Sequence, residues 1–162
     1  MELNGRIGGI SVVYDVRAAW NGTHLDGRIG GRFEGKDIRL TVQEGQVAGR
    51  IGGTFDGFDA AGHLSEDHVD VRLGGRIEGD DLHLTRSGPR IEGRFSGRIN
   101  GKDVNLTAED GRLHGRIGGV VEGKDVTLSL HGVPPLVAAL AATCAFKVLE
   151  DQQDAASAGS SD

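Results

Sequence analysis

The sequence predicts an all-β repeat protein, a β-solenoid of six 22-residue coils with a C-terminal capping α-helix. Three observations carry this. Arginine recurs at 6, 28, 50, 72, 94 and 116, glycine at 9, 31, 53, 75, 97 and 119, and aspartate at 15, 37, 59, 81, 103 and 125, with no insertion or deletion between copies. Within a copy, apolar and polar side chains alternate with the period of two that marks a half-buried strand. After the last copy the pattern changes to an alanine- and leucine-rich segment with good helix propensity.

Taken in order, residues 1–4 are a lead-in, 5–136 the six repeats, 137–150 an apolar helix and 151–162 a polar tail expected to be disordered. In a repeat, Val47, Gly49 and Ile51 share one face and Ala48 and Arg50 the other. The second strand places Ile38, Leu40 and Val42 inward and Arg39 and Thr41 outward. Turn pairs stand between strands: Glu34-Gly35, Asp56-Gly57, Glu78-Gly79, Asn100-Gly101 and Glu122-Gly123 at one end, Asn21-Gly22, Glu44-Gly45, Ser87-Gly88 and Asp110-Gly111 at the other. The same parity also suits an antiparallel hairpin meander or barrel, with Arg32 facing Asp37, Arg76 facing Asp81 and Arg98 facing Asp103. The solenoid is preferred because a one-faced sheet needs a cover that the repeats do not supply, and because a stacked coil tolerates no change of length. The third copy is expected to have lost its second strand, since Ala60 and Gly62 replace aliphatics.

The helix is apolar almost all round and follows Pro134-Pro135, which can seat a first helical turn. It is expected to cap the open end of the array, with an oligomerisation helix as the alternative.

Composition narrows the function. Glycine contributes 28 residues and proline 3, which excludes collagen and a Pro/Gly-rich disordered chain. Of 18 basic and 24 acidic residues, only Lys147 and the acidic Glu2, Glu150, Asp151, Asp154 and Asp162 lie outside the repeats, leaving these nearly neutral. A general nucleic-acid binder needs a basic excess, so none is expected. Cys144 is the one cysteine, so no disulfide framework exists. No signal-peptide pattern opens the chain, and the longest apolar run is shorter than the ~20 residues of a spanning helix. A cytoplasmic location is expected.

The arginine ladder, Arg6, Arg28, Arg50, Arg72, Arg94 and Arg116, is the candidate ligand-facing feature. Stacked at ~4.8 Å, arginines would repel by about 0.9 kcal/mol per neighbour even in water. Asp26, Asp70 and Glu92, two positions before an arginine, offer relief, so a solvated charged face is preferred to a stripe for an anionic partner. The aspartate ladder is expected to accept from backbone N–H groups in turns. One acid per coil is too sparse for the 6–8 oxygens of a calcium ion. His63, Glu66, Asp67 and His68, with Asp59, form the one local cluster of ligand types, but no zinc spacing exists. No catalytic motif, cofactor fingerprint or metal site is expected.

The string Val47-x-Gly49-x-Ile51, echoed by Leu25-x-Gly27-x-Ile29 and Leu113-x-Gly115-x-Ile117, resembles the bactofilins, cytoplasmic β-helices that polymerise end to end. The resemblance implies a β-helix with an assembly role. The 22-residue period is also similar to that of curli subunits, whose Gln/Asn ladders this chain lacks.

The expected function is therefore that of a non-enzymatic structural or assembly protein that forms homo-oligomers. An Arg-lined binding module is the first alternative. A membrane β-barrel, apolar face to lipid and charges in the lumen, is the second. The first repeat is the candidate interface. It holds Val12, Tyr14 and Trp20, and its four-residue lead-in is expected to leave a free strand edge uncovered.

Overall fold

The computed structural model describes residues 1–10, 12–31, 35–53, 56–75, 79–96, 101–119 and 123–159, with side chains as far as residue 153. Twelve strands and one helix make up these residues. The strands are β1 (Glu2–Gly8), β2 (Val13–Trp20), β3 (His24–Gly30), β4 (Gly35–Gln43), β5 (Gln46–Ile51), β6 (Phe58–Leu64), β7 (His68–Gly74), β8 (Gly79–Ser87), β9 (Arg90–Phe95), β10 (Lys102–Glu109), β11 (Arg112–Ile117) and β12 (Lys124–Ser129). The helix is α1 (Pro135–Gly159).

The strands form a closed antiparallel barrel in which each pairs with its sequence neighbours and β1 pairs with β12. Each 22-residue copy is thus one hairpin, not one coil, and the solenoid is corrected to the barrel that was its alternative. Arg94 on β9 and Arg116 on β11 are separated by β10, so they stand two strand spacings apart, roughly 10 Å, rather than stacked. The constant copy length has a different cause from the one expected. Six hairpins that close a ring must share one register, and a one-residue slip would turn a strand's core face outward.

The tight turns confirm the hairpin chemistry. Glu44 and Gly45 both have positive φ (51° and 80°), as do Asp110 and Gly111 (53° and 73°). That is the two-residue turn whose twist matches antiparallel strands. The Asn21 side chain accepts from the backbone N–H of Thr23 and His24 at 2.9 and 2.7 Å, closing the β2–β3 turn. At the other end, Gly30 pairs with Gly35, so the connection is longer than the two residues expected, and Asp37 faces Arg28. Arg32, Arg76 and Arg98, like Glu34, Glu78, Asn100 and Glu122, lie outside the described residues. The second strand of the third copy is present as β6, with Ala60 buried in the core.

The missing cover is the helix, which fills the lumen. Twelve strands spaced ~4.8 Å and tilted ~40° close at a radius of about 12 Å, more than their own side chains fill. A helix with its side chains is roughly 10–12 Å across and takes up the remainder. Residues of α1 lie beside β1, β2, β7, β9, β11 and β12, strands on opposite sides of the ring. Every residue from Leu136 to Leu149 except Lys147 is buried, and Phe146 meets Phe95 edge to face at 5.8 Å. An all-round apolar helix is thus explained by an all-round wall. It does not cap an end, and it reaches Gly159, taking in most of the tail expected to be disordered.

One cross-strand pair recurs round the wall. Ala18 faces Gly27, Leu40 faces Gly49, Leu84 faces Gly93, Leu106 faces Gly115, and Leu128 faces Gly5. A Cβ on any of these glycines would sit 1.8–2.1 Å from a carbonyl oxygen of the neighbouring strand. The strands approach too closely there for a side chain, so the inward glycines serve contact within the sheet. In the third copy the pair is reversed: Gly62 faces Val71, and the Gly62 Cβ position is 2.1 Å from the Asp70 carbonyl.

Candidate functional site at the helix exit

The two charge ladders form one ring. Arg6, Arg28, Arg50, Arg72, Arg94 and Arg116 face Asp15, Asp37, Asp59, Asp81, Asp103 and Asp125 across their hairpins. All six pairs close at 2.7–3.2 Å on the outside of the barrel. The aspartates therefore serve arginine rather than the turn backbone. Arg50, Arg72 and Arg116 also donate to the carbonyls of Gly53, Gly75 and Gly119, tying each connection to its strand. Exposed pairs of this kind specify register more than they stabilise.

Tyr14 and Trp20 point inward and are buried, while Val12 is half-buried against the core. β1 is paired on both sides, by β2 and β12, so it leaves no free edge. Charges outside and aliphatics inside reverse the arrangement a lipid-facing barrel needs. No helix among the described residues is long and apolar enough to cross a membrane. In the third copy, Asp67 and Ser65 hold His68 Nδ1 at 3.0 and 2.8 Å, and Asp70 pairs with His83. The hydrogen bonds from His68 and Ser65 hold the Asp67 carboxyl below its ordinary range. Among the described residues no group of three His, Cys, Asp or Glu side chains could hold a metal.

The most chemically distinct region is the mouth where α1 leaves the lumen. One inward position of the repeat forms a collar there: Tyr14, Lys36, Phe58, Asp80, Lys102 and Lys124, facing Ile7, Ile29, Ile51, Leu73, Phe95 and Ile117. Three copies read Gly-Lys-Asp, but the fourth reads Gly79-Asp80-Asp81. That exchange has a partner. Lys147, the one charged residue between Leu136 and Leu149, donates to Asp80 Oδ2 at 2.8 Å, lies 3.5 Å from Asp151 Oδ2 and sits 5.2 Å from the Phe58 ring centroid. Both members of the Asp80–Lys147 pair are nearly buried, and Asp80 Oδ1 has no hydrogen-bond partner.

Burial pushes the Lys147 ammonium down, but the hydrogen bond to Asp80 and the charges of Asp151 and Asp80 outweigh it, and the net shift is upward from 10.5. A raised lysine pKa contributes stability at all pH below the unfolded value. That contribution is lost only as pH rises through the folded one. Lys147→Met is expected to destabilise by about 3–5 kcal/mol, because it strands a buried carboxylate. Asp80→Leu combined with Lys147→Met is expected to return near the parent stability. Thermal melts across neutral to strongly alkaline pH check both. A single variant as stable as the parent at neutral pH would show that the pair does not anchor the helix. Cys144, one turn before Lys147 in α1, is fully buried, which pushes its thiol up to about 12. It is an inert core side chain.

Among the described residues, cavities flank the helix at both ends. One of 600 Å³ lies where it goes in, between Leu64–Asp67, Arg86, Gly88 and Pro134–Leu136. The other, of 350 Å³, lies at the exit between the β5–β6 connection and the last buried turn of α1. The Asp80 signal was readable as a departure from the repeat, whereas the collar required the barrel. No family model matches the chain, and no curated protein and no solved structure shows significant similarity to it.

Proposed function

We propose that the protein is a non-enzymatic structural module, a barrel sealed by its own helix that acts in the cytoplasm by meeting a second copy through its β1–β2 connection. The observation that carries this reading is the exposure of Ile10 and Val13. Apart from Met1, they are the only large apolar side chains exposed among the described residues, and they flank one connection. The arginine ladder gives an anionic partner little to hold, since each of its arginines already has its aspartate. That is why self-association is preferred to an Arg-lined binding face. Barrel closure removes the strand edges, so association runs through side chains and favours a closed dimer over a β-paired filament.

Val12 is a poor probe because it packs on the core. Ile10→Asp with Val13→Lys is the better one. Sedimentation velocity is expected to give a dimer for the parent and a monomer for the double variant, with thermal stability unchanged. A parent protein that sediments as a monomer throughout the micromolar range would end the proposal.

A further inference from the structure

We infer that Lys124, at the seam where the ring closes, is a binding site for a carboxylate carried on an apolar stem. The site lies beside the β1–β2 connection that carries the self-association proposed above, but the inference does not rest on that reading.

The repeat supplies the argument. Lys36 and Lys124 hold the same inward place in their repeats, facing Ile29 and Ile117. Lys36 reaches past β5 to the β5–β6 connection, where its ammonium meets Asp56 at 2.9 Å. The place of Asp56 is polar in four other repeats, as Glu34, Glu78, Asn100 and Glu122, but in the first repeat it is Val12. Because β12 is followed in the ring by β1, the connection that would serve Lys124 is the one with the valine. Lys124 does extend toward it: a Cβ on Gly9 would lie 3.2 Å from Nζ. The Gly9 N–H donates to the Val12 carbonyl at 2.9 Å, so the connection folds over beside the ammonium.

Lys124 is 9% exposed, and among the described residues no hydrogen bond or ion pair reaches it. A largely buried ammonium without a counter-ion is unfavourable, and an entering anion relieves it. The ammonium is not wholly enclosed, so an anion can reach it. Asp15 and Asp125, the acids of the flanking strands, are engaged outside by Arg6 and Arg116. The carboxylate on Lys36 shows which anion this place accepts. Ile10, Val12 and Val13 stand where the second repeat has Arg32, Glu34 and Gly35, so the surroundings of the bound head are apolar. Ile10 and Val13 are exposed and can cover an apolar stem.

Hexanoate is a suitable probe, with 1-hexanol and hexylammonium as its neutral and cationic counterparts. Titration followed by amide chemical shifts is expected to show saturable binding of hexanoate centred on Gly9, Val13 and Lys124. Hexanol should bind about tenfold more weakly, since it keeps the stem but lacks the charge. Hexylammonium should not bind. Lys124→Met is expected to weaken hexanoate about tenfold without lowering the melting temperature, because it removes a charge that has no partner. Val12→Glu restores the acid found in other repeats and should both abolish hexanoate binding and raise the melting temperature. Absence of saturable binding, equal binding of hexylammonium, or an affinity untouched by Lys124→Met or by Val12→Glu would each overturn the assignment. A parent protein that sediments as a monomer yet binds hexanoate in this way would end self-association and support this site.

Discussion

A chain that stops at Val133 is expected to lose the barrel altogether, not merely to fray at one end. Leu136, Val137, Leu140, Phe146, Val148 and Leu149 are each 3% exposed or less. At ~1.5–3 kcal/mol apiece their burial contributes roughly 9–18 kcal/mol, as much as the about 5–15 kcal/mol net stability of a whole domain. The wall loses as much again in principle, since the inner faces of the strands would line a water-filled hole too wide for them to fill. The truncated protein should be insoluble, or soluble only as a species that binds hydrophobic dyes and melts without cooperativity. A chain ending at Gln153 keeps the whole buried stretch and should melt like the parent, which separates loss of the plug from simple shortening. If the protein ending at Val133 stays soluble and unfolds in one sharp transition, the helix is an accessory and the packing argument fails.

Much of this architecture is legible in the sequence. The period, the two strands per copy, the inward and outward parity and the positive-φ turns at Glu44-Gly45 and Asp110-Gly111 all follow from local rules. The choice between stacking and closure does not. A coil and a hairpin impose the same alternation, and what differs is whether Arg94 and Arg116 are one strand apart or two. The decisive clue stood elsewhere in the chain. A helix apolar on every side needs a wall on every side, and among β architectures a closed barrel supplies one. A helix placed at the end of the array leaves the repeats without a cover, and only then does a solenoid follow.

The candidate sites divide in the same way. The arginine and aspartate ladders were visible as ladders, but their union depended on a register nine residues apart in sequence that only hairpin pairing brings face to face. Tyr14 and Trp20 are unique in the chain, which suggests an interface; they are inward members of β2, on the same face as Val16 and Ala18. Asp80 broke a repeat in which Lys36, Lys102 and Lys124 share its position. That substitution of acid for base, opposite a lone lysine in an apolar helix, is a signal that repeat alignment could expose.

The sharpest test of the wall is Gly93→Val, which is expected to be among the most destructive single substitutions in the chain. A Cβ at Gly93 would lie 1.8 Å from the His83 carbonyl oxygen and 2.8 Å from the Leu84 Cα. Both are backbone atoms of β8, so no rotamer change can relieve the contact, and β8 and β9 must part or bend. Ordinary overpacking costs about 1–3 kcal/mol; a forced backbone displacement in a closed ring should exceed about 4 kcal/mol, near the limit of what single substitutions do. The third copy shows how the same backbone accepts a valine. There Val71 occupies the equivalent position and its partner is Gly62. Exchanging the pair in the fourth copy, Leu84→Gly with Gly93→Val, reproduces that arrangement. The double variant should therefore be more stable than Gly93→Val alone, although Leu84→Gly by itself removes a fully buried side chain. Such a reversal of sign is a direct coupling between facing residues, measurable in a double-mutant cycle by denaturant unfolding. Gly62→Val supplies the converse, since it puts a side chain on both members of the third pair and should be as damaging as Gly93→Val. If Gly93→Val folds with parental stability, or if adding Leu84→Gly only worsens it, close approach at these glycines is not what sets the ring, and the pattern of one glycine per facing pair has another cause.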